Sequence, residues 1–281
     1  MLTPGQKKAS IVLRALLAAL ALLAALALLS ACGGRSRANF IVAGSTSVQP
    51  YAEILSEDYA HIYPDRIIDV QGGGSSAGIR AVISGAADIG MSSRYLKEDE
   101  AYLWSAEIAK DGLAVIVHPD NPVSDLTLDG VRAVYSGEAG GWDALGGAAS
   151  GIHLITREEG SGTRDVFESL VMAGTEITPR AIVQDSNGAV KQLVSNDRNA
   201  IGFISLGLVD GTVKALRLGG VEASHENVAS GAYSLYRPFL FITDGEPADL
   251  AKEFIDYTLS GEGRRILTNE GLITLAGGGG K

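Results

Sequence analysis

The sequence predicts an α/β protein with sheets rich in parallel strands, divided into two lobes of which the second is inserted into the first. Short apolar runs alternate with amphipathic stretches of helical period, and Gly/Ser-rich turns separate them, which is typical of βαβ units. The hydrophobic fraction of 46% indicates a globular chain rather than a disordered one. Its 281 residues are enough for two lobes of ordinary size.

Apolar runs and helical faces alternate along the whole chain after residue 39. The predicted strands lie at residues 40–43, 67–70, 89–91, 113–117, 154–156, 201–204 and 236–242. The predicted helices lie at residues 51–62, 79–83, 166–171 and 250–259. Between residues 219 and 231 the alternation lapses.

The lobe boundaries are predicted where the chain crosses between the two sets of elements. We expect crossings near His118, after the clearest strand, and near Tyr233, before strand-like sequence returns. Lobe I would comprise residues 39–117 and 233–275, and lobe II residues 118–232. The glycine-rich residues 276–281 are expected to form a flexible tail.

Residues 1–31 are predicted to be a removable signal peptide. Lys7, Lys8 and Arg14 flank an apolar run of 15 residues, which is short for a membrane span. Small residues then lead into Cys32, and this segment resembles a bacterial lipobox, which implies cleavage before Cys32 and lipidation of it. A plain signal peptide or an uncleaved anchor is the alternative. Residues 32–38 would form a lipid-anchored linker, and we expect the remainder outside the cytoplasm.

Charge and cysteine content exclude several classes of function. Without the leader the chain has 20 basic and 33 acidic side chains, a net charge of −13, which argues against nucleic acid as a partner. One cysteine cannot support a disulfide framework or a cysteine-based zinc site. The four histidines lack metal-ligand spacing, so neither a metal nor another cofactor is expected.

Three turns could together hold one small anion. Each joins a strand to a helix and is rich in Gly, Ser and Thr, at residues 44–47, 74–78 and 160–163. A helix start offers free backbone N–H groups, glycine admits close approach, and hydroxyls add further donors. One such turn is usually an ordinary helix cap, but three at strand ends favour a joint site for a tetrahedral oxyanion.

Arginines near these turns are the candidate counter-charges. Arg94 follows a strand end, Arg157 precedes the third turn, and Arg164 lies within it. A guanidinium offers paired donors to an oxyanion. Ordinary ion pairs are the alternative for each, because acidic residues adjoin the third turn.

A serine hydrolase is a further alternative. Residues 74–78 also fit the pattern G-x-S-x-G, with Ser76 as the nucleophile. That mechanism requires a histidine partner, and His118, His153 and His225 all stand in sequence contexts that do not resemble a catalytic one.

Several stretches, spread in order through residues 39–275, resemble the substrate-binding lipoproteins of bacterial phosphate ABC transporters. The matching stretches are residues 44–50, 72–78, 87–94, 118–123, 142–147, 156–164, 184–190, 200–210 and 270–273. The resemblance implies a two-lobed periplasmic-binding-protein-like fold of type II with a discontinuous first lobe. It also implies a monomer without catalytic activity that closes on inorganic phosphate and delivers it to a transmembrane permease.

The resemblance assigns phosphate-binding residues to the three turns and to the end of the third strand. They are Ser45, Thr46, Ser75, Ser76, Ser93, Arg94, Arg157, Ser161, Gly162 and Thr163. Many family members have an aspartate that accepts the proton of hydrogen phosphate where this chain has Ser93. Sulfate, molybdate or tungstate therefore remain alternative ligands, with Glu159 a possible substitute acceptor. A surface sensor or adhesin that passes its ligand to no permease is another alternative.

Overall fold

A computed structural model describes residues 38–274, so Cys32, the leader before it and the tail at residues 276–281 lie outside the described residues. The strands are β1 (Ala38–Gly44), β2 (Arg66–Gly72), β3 (Ile89–Ser92), β4 (Trp104–Val117), β5 (Asp125–Leu126), β6 (His153–Arg157), β7 (Ile182–Gln184), β8 (Ala200–Ser205), β9 (Lys214–Ala215), β10 (Arg217–Leu218) and β11 (Tyr236–Thr243). The α-helices are α1 (Gln49–Ile62), α2 (Ser75–Ile83), α3 (Leu128–Ser136), α4 (Gly162–Phe167), α5 (Asn187–Asn196), α6 (His225–Ala229), α7 (Asp249–Leu259) and α8 (Gly261–Asn269). None of the helices in this part of the chain combines the length and the apolar character that a membrane crossing requires.

One mixed sheet runs through the molecule in the order β2-β1-β3-β11-β4-β8-β6-β7, with β9 paired to β4. Strands β1 and β3 are parallel, and β6 is parallel to both β7 and β8. The central strands β11 and β4 are antiparallel to their neighbours. The carboxyl ends of the parallel strands on each side therefore supply the loops in which ligands are usually held.

The hydrophobic core falls into two main clusters that share β4. One cluster contains buried residues from Phe40 to Ala109 together with the segment Phe239–Leu272. The other extends from Leu113 to Leu235. Strand β4 passes from one cluster to the other, and β11 pairs with it along its whole length. The exact lobe boundaries at residues 117 and 233 stay predictions.

Close packing of helix α2 on β1 brings its first turn to the ends of β1 and β3. A Cβ atom at Gly78 would lie 2.6 Å from Gly44 Cα and 3.1 Å from the Met91 carbonyl oxygen, so only glycine allows this approach. The Gly74 N–H donates to the Gly44 carbonyl at 2.9 Å, and the Ser45 N–H donates to the Met91 carbonyl at 2.9 Å. These bonds hold the first two serine-rich turns side by side.

The predicted elements all occur, but their extents differ in the middle of the chain. Strand β4 begins at Trp104 rather than at Leu113, because alternating buried and exposed positions precede its apolar half. The predicted helix at residues 166–171 is observed as α4 followed by a π-helical turn, Glu168–Met172. Helices α3, α5, α6 and α8 and the short strands β5, β7, β9 and β10 were not predicted.

Candidate functional site

The three serine-rich turns meet in the structure. The Ser76 N–H donates to the Gly160 carbonyl at 3.0 Å, and the hydroxyl oxygens of Ser47 and Thr163 lie 2.9 Å apart. The backbone of Gly162 lies close to two side-chain hydroxyls. A Cβ atom added at Gly162 would overlap Ser75 Oγ and lie 2.7 Å from Ser93 Oγ. Residues far apart along the chain thus form one compact polar centre.

Five of the predicted site hydroxyls accept a hydrogen bond from a protein N–H group. Ser45 accepts from the Ser47 amide at 3.2 Å, Ser75 from the Ser93 amide at 3.0 Å, and Ser161 from the Arg164 amide at 3.3 Å. Thr46 accepts from Asn187 Nδ2 at 3.3 Å, and Ser76 accepts from Arg94 Nη2 at 3.2 Å.

The direction of these bonds determines what the hydroxyls can offer to a ligand. A hydroxyl has one hydrogen and two acceptor lone pairs. Because the protein supplies donors to the oxygen atoms, the O–H hydrogens are the part that a ligand can use. The arrangement suits a ligand that presents only acceptor oxygens, such as a tetrahedral oxyanion.

Arg157 provides a buried positive charge beside the third turn. It is the last residue of strand β6, is 1% exposed, and donates to both carboxylate oxygens of Glu158, at 2.8 and 2.9 Å. Its Nη2 also donates to the Asp185 carbonyl at 3.3 Å. Among residues 38–274, no hydrogen-bond acceptor pairs with the buried Arg157 Nη1. A buried guanidinium donor of this kind is costly unless a ligand satisfies it.

Arg94 is held mainly by carboxylates. Its guanidinium donates to both oxygens of Glu100, at 2.7 and 2.9 Å, and its Nε lies 2.9 Å from Asp165 Oδ2. It reaches the centre through its bond to Ser76. Arg164, the third candidate counter-charge, pairs with Glu168 and donates to the Arg157 carbonyl.

Ser93 lies in the centre, and Glu159 lies at its margin. Ser93 is fully buried, and its Oγ is 3.4 Å from Ser75 Oγ. Glu159 is exposed, whereas Glu158 is half-buried, and a Cβ atom at Gly74 would lie only 3.1 Å from its Oε1. The carboxylate of Glu158, which is bonded to Arg157, therefore lies beside the second turn.

The three histidines considered as partners of Ser76 make other contacts. His118 Nδ1 accepts from the Asp120 amide, and His153 Nδ1 lies 2.5 Å from Asp197 Oδ2. His225 packs against Gly271. Ser76 Oγ instead accepts from Arg94, an arrangement that supplies no general base for a nucleophilic serine.

Sequence reasoning missed a second set of buried polar residues beneath the turns. These residues are Asp111, Asn187, Ser205 and Arg237, and two of them, Asn187 and Arg237, donate to Ser47 of the first turn. Asn187 opens helix α5 after strand β7, in the same strand-turn-helix pattern as the other turns, which could have revealed it. Arg237 lies within an otherwise apolar strand segment, and Asp111 lies just before the apolar half of β4; a charged residue in such a position is a sequence signal of a buried ion pair.

Comparison with known proteins agrees with this geometry. A sequence profile described as a PBP superfamily domain matches residues 30–262. The phosphate-binding protein PstS of Bacillus subtilis is 32% identical over 289 residues, covering 95% of this chain and 94% of the relative. PstS of Pseudomonas aeruginosa is 28% identical over 269 residues, covering 84% and 83%.

Solved structures show the same likeness. A crystal structure from Clostridium perfringens, of a protein assigned as a phosphate ABC transporter substrate-binding protein and holding bound phosphate, is 42% identical with a TM-score of 0.82. The match covers 85% of this chain and all of the chain in that structure. An ABC-type phosphate transport receptor from Vibrio cholerae is 39% identical with a TM-score of 0.70, covering 84% of this chain and all of that receptor.

Fold and sequence together place the chain in the PBP superfamily, with the two-lobed α/β architecture of its binding proteins. Within that class, the chain belongs to the PstS family of phosphate-binding proteins. The predicted family and the predicted fold class are confirmed.

Proposed function

We propose that this protein binds inorganic phosphate outside the cytoplasm and delivers it to the permease of an ABC transporter, without catalysing a reaction. One observation carries the proposal: the hydroxyls of the three turns accept from protein N–H groups and so present their hydrogens to a ligand. The buried Nη1 of Arg157 adds a charged donor. Relatives named as phosphate-binding proteins, and a similar structure with bound phosphate, support the choice of anion.

The proposed ligand contacts come from the three turns, the end of β3 and Arg157. Arg94 would act through Ser76, since two carboxylates hold its guanidinium. In a dry site each charge-assisted hydrogen bond contributes about 1.5–3 kcal/mol, which is why local donors outweigh the negative charge of the whole chain. Lipid on Cys32 would keep the protein at the membrane beside its permease.

Closure of two lobes around the anion is part of the proposal. Strand β4 connects the two core clusters, and the turns that meet at the site adjoin different clusters, the first beside Val42 and Val48 and the third beside Ile155 and Phe167. Small-angle scattering of the purified protein should show a smaller radius of gyration when phosphate is added. Identical profiles would contradict closure without contradicting binding.

Calorimetry tests the choice of ligand. The purified protein is titrated in parallel with phosphate, arsenate, sulfate and molybdate. We expect one phosphate per chain, similar binding of arsenate, and weaker binding of sulfate. Tighter binding of sulfate or molybdate would reassign the ligand within the oxyanions, and no heat with any of the four would overturn the proposed function.

A further inference from the structure

A buried ion pair joins the paired central strands β4 and β11. Arg237 of β11 lies opposite Asp111 of β4 in the antiparallel register. Its Nε and Nη2 donate to Asp111 Oδ2 at 3.2 and 3.1 Å, and both side chains are 0% exposed. An ion pair withdrawn from water is costly, so its presence needs a reason beyond packing.

The ion pair belongs to a closed ring of hydrogen bonds beneath the site. Ser205 Oγ donates to Asp111 Oδ1 at 2.9 Å, and the Ser205 N–H donates to Asn187 Oδ1 at 3.2 Å. Asn187 Nδ2 then donates to Ser47 Oγ at 2.7 Å, and Arg237 Nη2 donates to the same oxygen at 3.0 Å. The five side chains thus tie the first turn to strands β4, β8 and β11.

Arg237 brings a second positive charge close to Arg157. Burial lowers the pKa of Arg237, Asp111 raises it, and the charge of Arg157 lowers it further, so the two guanidiniums lie close enough to repel. In the described part of the chain, Arg237 Nη1 is buried without a hydrogen-bond acceptor, as is Arg157 Nη1. An anion beside both would satisfy the donors and relieve the repulsion.

The ring also fixes the direction of one hydroxyl at the site. Arg237 and the Asn187 amide nitrogen can only donate, so they occupy both lone pairs of Ser47 Oγ. Ser47 must then donate its hydrogen to Thr163 Oγ1, 2.9 Å away. With one lone pair occupied, the Thr163 hydroxyl has its own hydrogen to donate to a ligand.

We propose that Arg237 is a second cationic residue of the anion site, held in place by Asp111, and that it acts through Ser47 to turn the Thr163 hydroxyl toward the ligand. The inference rests on the proposed function, because it assigns a residue to the same site. It adds a side chain of β11, whereas the predicted ligands come from the three turns, the end of β3 and Arg157. Arg237 is a positioning residue in its action on Thr163, and its charge stabilises the bound anion.

The test compares phosphate affinity in variants that preserve the fold. Replacing Arg237 alone would leave the buried Asp111 without a counter-charge, so the main variant carries Arg237→Met together with Asp111→Leu. Arg66→Met with Glu253→Leu removes an ion pair between β2 and α7, and is the matched control. Circular dichroism and urea unfolding establish that each variant is folded.

Calorimetry with phosphate should show at least a tenfold weaker affinity in the Arg237/Asp111 double variant and no change in the control. Arg237→Lys keeps the positive charge and should bind phosphate more tightly than the Arg237/Asp111 double variant does. A role of Arg237 in packing alone would not produce this difference. Ser47→Ala removes the relay to Thr163 but no charge, and should weaken binding about threefold or more. If the double variant fails to fold, the affinity of Ser47→Ala for phosphate tests whether Arg237 acts through Ser47.

Two outcomes separate this inference from the proposed function. If the unaltered protein binds phosphate and the folded double variant or Ser47→Ala binds it equally well, Arg237 is structural only and the inference is overturned. If the unaltered protein binds no phosphate, the proposed function fails, and the assignment of Arg237 fails with it.

Discussion

The hydroxyl oxygens of Ser47 and Thr163 lie 2.9 Å apart, although 116 residues separate them in the chain. Ser47 precedes helix α1, and Thr163 lies in the first turn of α4. Both are buried, and Ser47 also accepts from Asn187 and Arg237. The contact shows that the serine-rich turns are parts of one hydrogen-bonded centre rather than separate helix caps.

Arg157→Ala should weaken phosphate binding by at least about 1.5 kcal/mol, roughly tenfold, because it removes charge-assisted donors at a buried site. Calorimetry measures the change. Arg198→Ala is the control, since it removes the same charge from an arginine side chain that is 74% exposed and pairs with Asp120 at the surface. Unchanged affinity in a folded Arg157→Ala protein would remove Arg157 from the site.

Gly162→Ala should block the close approach of the third turn to the other two. The added methyl group would overlap Ser75 Oγ and lie 2.7 Å from Ser93 Oγ. We expect at least a tenfold loss of phosphate affinity with little change in thermal stability, because alanine suits the first turn of a helix better than glycine does.

The matched control for this substitution is Gly188→Ala. Gly188 is also in the first turn of a helix, α5, but a Cβ atom there would meet no atom within 4 Å. Equal affinities in the two variants would show that the contact at Gly162 is not needed for binding.

Local patterns were sufficient to predict the strands and the three turns. Most predicted strands occur because their apolar runs are buried, as in Leu113–Val117, whereas β2 is only partly buried. Helix α5 escaped prediction because its buried face is narrow, with only Val190 and Val194 as buried apolar residues. A short amphipathic face of this kind is specified mainly by tertiary packing.

The turns of the candidate site could be predicted from the sequence, but the contacts of the residues that support them could not. Serine and glycine beside strand ends are visible in sequence, whereas the partner of Arg237 is Asp111, 126 residues away. Nothing local relates those two residues, since their pairing depends on the register of β4 and β11. The sequence alone also gives no sign that Arg94 is held by Glu100 and Asp165.

Ser93→Asp should increase the preference for phosphate over sulfate. Ser93 is buried in the centre, 3.4 Å from Ser75 Oγ, so a carboxylate there would face the bound anion. Hydrogen phosphate can donate its proton to that carboxylate, whereas sulfate has no proton and would meet only repulsion. Competition calorimetry should show sulfate affinity falling by at least tenfold more than phosphate affinity.

The control for Ser93→Asp is Ser84→Asp, which adds the same charge at an exposed position beyond the end of α2. It should leave the ratio of the two affinities unchanged. A parallel loss of phosphate and sulfate binding in Ser93→Asp would indicate simple charge repulsion, and would contradict the assignment of Ser93 beside the protonated oxygen.

The bonds between Arg94 and Glu100 should contribute to stability in a pH-dependent way. Hydrogen bonds from Arg94 lower the pKa of Glu100 below its ordinary value of 4.5, against an opposing effect of burial. The contribution is therefore complete above that ordinary value and is lost as the pH falls through the lower pKa of the folded protein. Glu100→Gln should reduce the free energy of unfolding at pH 7 by about 1–3 kcal/mol.

Urea unfolding from pH 7 down to pH 3 measures this effect as the difference between the unaltered protein and Glu100→Gln. The difference should shrink on acidification, because protonated Glu100 and glutamine are both neutral partners for Arg94.

Glu262→Gln is the comparison, since Glu262 also pairs with an arginine but its side chain is 47% exposed, against 15% for Glu100. Solvent screens the exposed pair, so its removal should change stability little at any pH. A difference for Glu100→Gln that stays constant over this range would mean that packing, and not the charge of Glu100, stabilises the segment around Arg94.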